Sequence, residues 1–347
     1  MTASTHGIRA AGLAACALAF AALAGSAAAQ AYKAPRNAFG QPDFSGTWTN
    51  ASVTQLERPA QFKSLVITPA QAAALEQGYV RMRASDSGPT DPKAPPPKSG
   101  EDPGGYNSFW IDPGTKVGAI KGELRSSWIV EPADGKLPYS AEGRKLFMSE
   151  VVKIQGNFDG PEVRQVAERC LMGFGSTAGP PMMNVLYNNT YQFQQDRDHL
   201  VIVVEMNHDA RIVRIGDRTH PKAAIRTWMG DSIGRWEGDT LVVETTNFNA
   251  GEQLRPGIPT TFFVSKDAKV TERFTRVSAK QILYEFTVDD PKVYTKSWRG
   301  EMPINAAQGP VYEYACHEGN YALPGILRGA RYAESQGKKP ETVGVGE

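Results

Sequence analysis

Between Thr190 and Cys316 the chain is a series of short apolar runs of similar length separated by turn residues, and that spacing limits the fold more than any other feature. The runs are 190–195, 199–206, 210–215, 226–229, 233–236, 240–248, 269–277, 281–289, 293–302 and 311–316. Two of them flank Glu237-Gly238-Asp239 inside the stretch Trp228 to Phe248. Glycine accepts the positive φ of a tight turn, so this is a hairpin. Asn207-His208-Asp209 and Ser278-Ala279-Lys280 supply further tight turns. Regular short strands joined this way predict an all-β fold, an antiparallel barrel with a few added helices and long loops.

Leu200-Val201-Ile202-Val203-Val204 is apolar at every position, whereas a sheet with one wet face alternates. Such strands require cover outside the barrel, which the residues before Cys170 are long enough to supply. Thr68-Pro69-Ala70-Gln71 combines a cap, a proline at the first helical position and a third-position glutamine, predicting a helix to about Arg83. Ser127 to Val130 reads as a short strand, Ser140 as the cap of a helix to about Val152, and Asn320 as the cap of a helix to about Glu334. Ser85 to Tyr106, rich in Pro, Gly, Asp and Lys, reads as a surface loop. Gly173 to Pro181 lacks the lysine of a phosphate loop and reads as a loop entering the barrel; Ser176 has no nucleophile elbow around it. The organisation is a leader over 1–29, an N-terminal segment over 30–169 packing on the barrel, the barrel and final helix over 170–335, and a disordered tail over 336–347.

The leader reading comes from the apolar run Ala10 to Ala24 after Arg9, followed by Ala27-Ala28-Ala29, an A-x-A cleavage pattern. A membrane anchor is the competing reading. Leu13-Ala14-Ala15-Cys16 resembles a lipoprotein box, but the apolar run continues past Cys16. Cleavage after Ala29 predicts a periplasmic or secreted protein with no integral membrane segment. It removes one arginine and no acid, leaving 37 basic against 37 acidic side chains. No net field draws such a chain to nucleic acid, and a small apolar or amphipathic molecule is the more natural partner. Cys170 and Cys316 survive cleavage. In an oxidising compartment they read as one disulfide, with two free buried thiols as the alternative.

Strand parity places Glu272 on one face with Val270 and Phe274 and Arg273 on the other; Asn247 shares a face with Leu241 and Val243. A carboxylate on an apolar face has a raised pKa unless it is paired, which suits an acid or base near neutral pH. The alternative is a cross-strand ion network of Glu272 and Arg273 with Arg235 or Glu244. The four remaining histidines, His199, His208, His220 and His317, show no metal-ligand spacing, so no metal and no cofactor is implied. His317 follows Cys316 directly and a disulfide would hold it in place for proton transfer, or it bonds a backbone carbonyl instead. The candidate catalytic set is His317, Glu272, His208, Asp231 and Tyr294, and the candidate binding set Arg211, Arg235, Trp228, Trp236 and Asn247. Two functions fit: cofactor-independent acid/base chemistry of lyase, hydratase, isomerase or hydrolase type in a barrel cavity, or a small-ligand carrier without catalysis. A structural role in the envelope is the third possibility.

Gly234-Arg235-Trp236-Glu237-Gly238-Asp239-Thr240-Leu241-Val242-Val243, Thr271-Glu272-Arg273-Phe274, Asp290-Pro291-Lys292-Val293-Tyr294 and Glu313-Tyr314-Ala315-Cys316-His317-Glu318-Gly319-Asn320-Tyr321 together resemble an uncharacterised family of secreted proteins of environmental bacteria. Asp43-Phe44-Ser45-Gly46-Thr47-Trp48 also fits. The resemblance covers most of the chain after the leader and transfers no catalytic residue. More distantly, Gly46-Thr47-Trp48 at the start of a first strand is similar to lipocalin-type barrels, where an indole closes the barrel bottom. That likeness implies a cavity for a small apolar or amphipathic ligand.

Overall fold

The computed structural model describes residues 32–87, 93, 95, 113–173, 179–216, 218–251, 253–255 and 257–339. Residues 1–29, read from sequence as a leader, most of the Pro/Gly-rich stretch after Ser87, Ser176 with its neighbours 174–178, and the tail from residue 340 lie outside the described residues. The strands are β1 (Gly46–Thr49), β2 (Val66–Ile67), β3 (Ala119–Ile120), β4 (Glu123–Arg125), β5 (Ile129–Glu131), β6 (Thr190–Gln195), β7 (His199–Val204) and β8 (Ala210–Ile215). They continue with β9 (Asp231–Glu237), β10 (Thr240–Thr246), β11 (Leu254–Arg255), β12 (Phe262–Phe263), β13 (Lys269–Ser278), β14 (Gln281–Asp289) and β15 (Trp298–Ala306). Three α-helices are described: α1 (Pro69–Asp86), α2 (Ala141–Gly156) and α3 (Ala322–Ser335). None of the described helices is long and apolar enough to cross a membrane.

Nine strands close a barrel in the order β1-β6-β7-β8-β9-β10-β13-β14-β15, with β15 returning to pair with β1 and β5 added to β15 on its own account. The mainly β barrel expected from the sequence is therefore present. It takes in a strand from residues 46–49, ahead of the stretch 170–335 in which the strand pattern alone located it. A closed barrel of purely antiparallel neighbours needs an even number of strands. With nine, one pair must be parallel, and that pair is β8–β9. The chain between them, 216–230, has to return along the wall. The apolar run 226–229 accordingly belongs to this crossover and forms no strand, Thr227 making only an isolated bridge to Phe248.

Local chemistry accounts for the element ends. The two-residue loop Gly238-Asp239 joins β9 to β10 with positive φ at Gly238. Asn207 and His208 both take positive φ in the β7–β8 turn. Thr68 and Gln71 form a reciprocal capping box, the Thr68 N–H donating to Oε1 of Gln71 at 2.9 Å and the Gln71 N–H to Oγ1 of Thr68 at 3.3 Å. Oγ of Ser140 accepts from the Gly143 N–H at the start of α2. Asn320 does not cap α3; its amide instead donates to the Glu168 carbonyl and to Sγ of Cys170. The runs predicted at 293–302 and 311–316 also change: β15 begins only at Trp298, and 311–316 is an irregular segment across the barrel mouth.

Inward side chains fill the lumen. Leu200, Ile202 and Val204 of β7, Leu241 and Val243 of β10, Phe274 of β13, Tyr284 and Phe286 of β14 and Trp298 of β15 belong to one buried cluster. Position 300 on the inner face has to be glycine because the Phe286 ring lies against its backbone, and a Cβ there would stand 2.2 Å from that ring. The segment after Gly179 enters as a plug: Met182, Met183, Asn184 and Val185 are all buried, and the Trp128 indole N–H donates to Oδ1 of Asn184 at 2.9 Å. The outer face of β7 is only half covered, and its burial alternates along the strand. Outward Val242 and Leu283 are buried, so the expected outer cover is partial. From Ala34 onward the described residues form one compact unit.

Within this apolar lumen lies one ion pair. Arg211 of β8 donates to both carboxylate oxygens of Glu272 on β13, through Nη1 at 2.9 Å and through Nη2. Its Nε donates to Oγ of Ser232 on β9 at 3.1 Å and Nη2 also donates to Oγ1 of Thr245 on β10 at 3.0 Å. The Tyr284 hydroxyl donates to Oε1 of Glu272 at 2.7 Å and accepts from the Met182 N–H of the plug at 2.8 Å. Burial works against the Arg211 charge, but the Glu272 carboxylate outweighs it and holds the guanidinium pKa above its ordinary value. Arg211→Met is expected to lower the unfolding free energy by about 3 to 5 kcal/mol, because it strands a buried carboxylate. The double variant Arg211→Met/Glu272→Leu should recover most of that loss in urea denaturation. A double variant as unstable as the single one would show that the pair's charge is not what matters.

Candidate functional site

A cleft opens at the end of the barrel where β1 and β7 finish and β6 begins. It measures about 920 Å3. Its floor is Thr49 at the end of β1 and Ala51 after it, Tyr187 to Thr190 leading into β6, and Glu205 directly after β7. Its outer wall is the segment 312–320, which crosses the mouth as a strap. Besides the Asn320 amide bonds to Glu168 and Cys170, contacts at three further points hold the strap. Cys316 is disulfide-bonded to Cys170 with 5.7 Å between the Cα atoms, the Tyr314 N–H donates to Nε2 of His208 at 3.1 Å, and the Tyr312 N–H donates to Oε2 of Glu205 at 3.5 Å. The strap lacks regular secondary structure, so side chains and the disulfide take the place of a strand ladder.

Tyrosines and carboxylates dominate the chemistry of this wall. Tyr187, Tyr312 and Tyr314 line it, with Glu168, Glu205, Glu313 and Glu318; no Lys, Arg or His is among the described lining residues. Glu168 is balanced by Arg164, whose Nε and Nη2 donate to its two oxygens at 2.8 and 3.0 Å. Glu205 is buried, 5% exposed, and its Oε1 accepts from Nδ2 of Asn188 at 2.7 Å. Asn188 takes positive φ, a conformation that asparagine tolerates better than most residues. Burial, with the neighbouring Tyr314, pushes the Tyr187 phenol up to about 12, so its hydroxyl stays neutral at any physiological pH.

The residues singled out from sequence fall in several places. Glu272 and Arg211 come together, but as the closed pair inside the lumen. Arg273 faces the other way, sharing Glu237 with Arg235 outside; the network suggested for Glu272 and Arg273 is thus split between the two faces. Asp231 accepts from Arg214 and lies 2.7 Å from Nδ1 of His220, which holds the crossover to the outer wall. Asn247 donates to the carbonyls of Pro221 and Lys222 in the same crossover. Trp228 packs over Gly251 against the core. Trp236 stacks on Phe44 at the opposite end, centroids 5.7 Å apart. Tyr294 is buried and donates to the Phe263 carbonyl at 2.7 Å.

His208 is exposed and serves as the strap's acceptor. His317 is exposed, and of residues 312–320 it alone is missing from the cleft wall. No two of His317, Glu272, His208, Asp231 and Tyr294 share a hydrogen bond. Arg235 does border another groove, of about 400 Å3, with Arg218 and Glu244. Glu205, Asn188 and Tyr187, by contrast, drew no attention in the sequence. The available signal was the position of Glu205, a charge ending an otherwise apolar strand. Comparison with known protein families, curated proteins and solved structures finds no match to this chain.

Two outcomes follow for stability. The disulfide closes a loop of 146 residues, so in the chain-entropy model its loss in Cys170→Ser/Cys316→Ser should cost about 4 to 5 kcal/mol in urea denaturation. A cost below about 1 kcal/mol would mean that the strap is held by its other contacts. Tyr139 and Tyr187 are both pushed up to about 12, chiefly by burial, against about 10 in the unfolded chain. Their protonated forms stabilise the fold fully below about pH 10, and this contribution is lost as pH rises through about 12. The urea midpoint should therefore fall over that interval, and native tyrosinate absorbance should lag behind that of the unfolded chain. Coincident titrations would contradict the burial of these phenols.

Proposed function

We propose that this is an exported small-molecule-binding protein whose ligand lies in the mouth cleft, beneath the disulfide-tethered strap. The observation carrying this reading is the cleft itself. Its volume is within the roughly 300 to 1,000 Å3 of small-molecule sites, it mixes aromatic and polar groups, and its loops are held by a disulfide and by side-chain acceptors at fixed places. The leader-like residues 1–29 and the disulfide support export. Carriage without turnover is favoured over acid/base catalysis because the groups proposed for proton transfer lie apart from the cleft wall. The lumen side chains pack on one another, which supports a guest at the mouth rather than in the lumen.

The test is saturable binding of the neutral fluorescent probe N-phenyl-1-naphthylamine. Ala315 lines the cleft and is exposed, so Ala315→Trp should fill the site without disturbing the core. We expect one probe per chain and a loss of affinity of about tenfold or more in the variant, corresponding to about 1.4 kcal/mol. Undiminished binding by Ala315→Trp would remove the cleft from consideration.

A further inference from the structure

The cleft's charge points to a narrower ligand class than its size does. Resting on the reading that the mouth cleft is the ligand site, we infer that its ligand is an organic cation, an amine or quaternary ammonium group carried on a small apolar body.

The argument begins with two buried carboxylates that are treated differently. Glu272 is fully buried and has an arginine against both of its oxygens. Glu205 is 5% exposed, lines the cleft, and has only neutral donors, the Asn188 amide at 2.7 Å and the Tyr312 N–H at 3.5 Å. No Lys, Arg or His among the described residues forms an ion pair with it. Buried charges are ordinarily paired, because withdrawing one from water costs far more than neutral hydrogen bonds return. A cation arriving in the cleft would supply the missing charge. Glu313 and Glu318 on the strap add to the same field, again without an ion pair among the described residues.

The tyrosines select the kind of cation. Tyr187, Tyr312 and Tyr314 line the space that Glu205 faces. Aromatic faces carry a negative quadrupole, and rings grouped around a site attract alkylated ammonium groups, which shed water easily. An anion would meet carboxylates and ring faces with no basic side chain to receive it. A bare metal ion would need several ligands converging on one point, and no group of three His, Cys, Asp or Glu side chains suited to that occurs among the described residues. The volume of about 920 Å3 also suits a molecule better than an ion.

The experiment is calorimetric titration of the disulfide-bonded protein with benzyltrimethylammonium, benzyl alcohol and benzoate, which share one ring and differ in charge. The cation should bind about tenfold or more tightly than the alcohol, and benzoate most weakly, since a desolvated cation is attracted to the faces of aromatic rings and to the carboxylates. Glu205→Gln should weaken the cation about tenfold and the alcohol less than about twofold. Because Glu205 is buried, a second variant guards against a folding defect: Glu313→Gln/Glu318→Gln changes only exposed side chains and should weaken the cation alone, by about threefold. Equal binding of cation and alcohol, both blocked by Ala315→Trp, would overturn the charge assignment and leave the cleft as a neutral site. Calcium displacing the cation at lower concentration than sodium would overturn it in favour of a metal. No binding by any of the three, or binding indifferent to Ala315→Trp, would overturn the cleft reading and this inference with it.

Discussion

The Arg211–Glu272 pair is the constraint around which the barrel is arranged. Five strands contribute to it: β8 and β13 the charges, β9 and β10 the hydroxyls of Ser232 and Thr245, and β14 the phenol of Tyr284. In a lumen otherwise packed with Phe, Val and Leu, a slip of one residue in any of these strands would turn a polar partner outward and leave a charge unsatisfied. Such a network specifies register more than it adds stability, since an apolar replacement of the same shape often does as well energetically. It also reaches the plug, because Tyr284 receives the Met182 N–H. Polar satisfaction and plugging are thus one event, and together they leave the lumen packed and the mouth open.

The count of nine strands has a second consequence. Closure forces one parallel pair, the parallel pair forces an external crossover, and the crossover must be anchored to a wall that has no ladder to offer it. His220 against Asp231 and Glu244, and Asn247 against Pro221 and Lys222, perform that anchoring. Polar residues that interrupt apolar strands here therefore mark attachment points. The same residues in an open-ended sheet would have been free to face a substrate.

At the mouth, an irregular segment is held in place by tethering. The strap 312–320 forms no ladder, yet the disulfide, His208 and Glu205 fix three points along it. A wall made this way can vary its side chains freely, because none is needed to complete a sheet. The glutamates and tyrosines of the strap are the side chains so displayed.

Much of the fold was legible from local signals. The bounds of β6, β8 and β14, the Gly238-Asp239 hairpin, the caps at Thr68 and Ser140 and the inward parity of Glu272 all depend on residues close in sequence, where turn chemistry, capping and period-two alternation act directly. Cys170 and Cys316 could be paired because they are the two cysteines that follow the leader-like residues 1–29. What the chain could not announce is anything requiring two distant segments at once. The parallel β8–β9 pair follows from the total number of strands and not from any one of them. Arg211 and Glu272, 61 residues apart, look like two separate candidates until closure places them together. Glu205 reads as the polar end of a strand until strap and plug bury it beside an empty-handed cleft wall. Local sequence determined which pieces would form. Long-range closure decided which charges were spent on one another in the core and which was left facing the cleft, since burial and pairing belong to the assembled barrel alone.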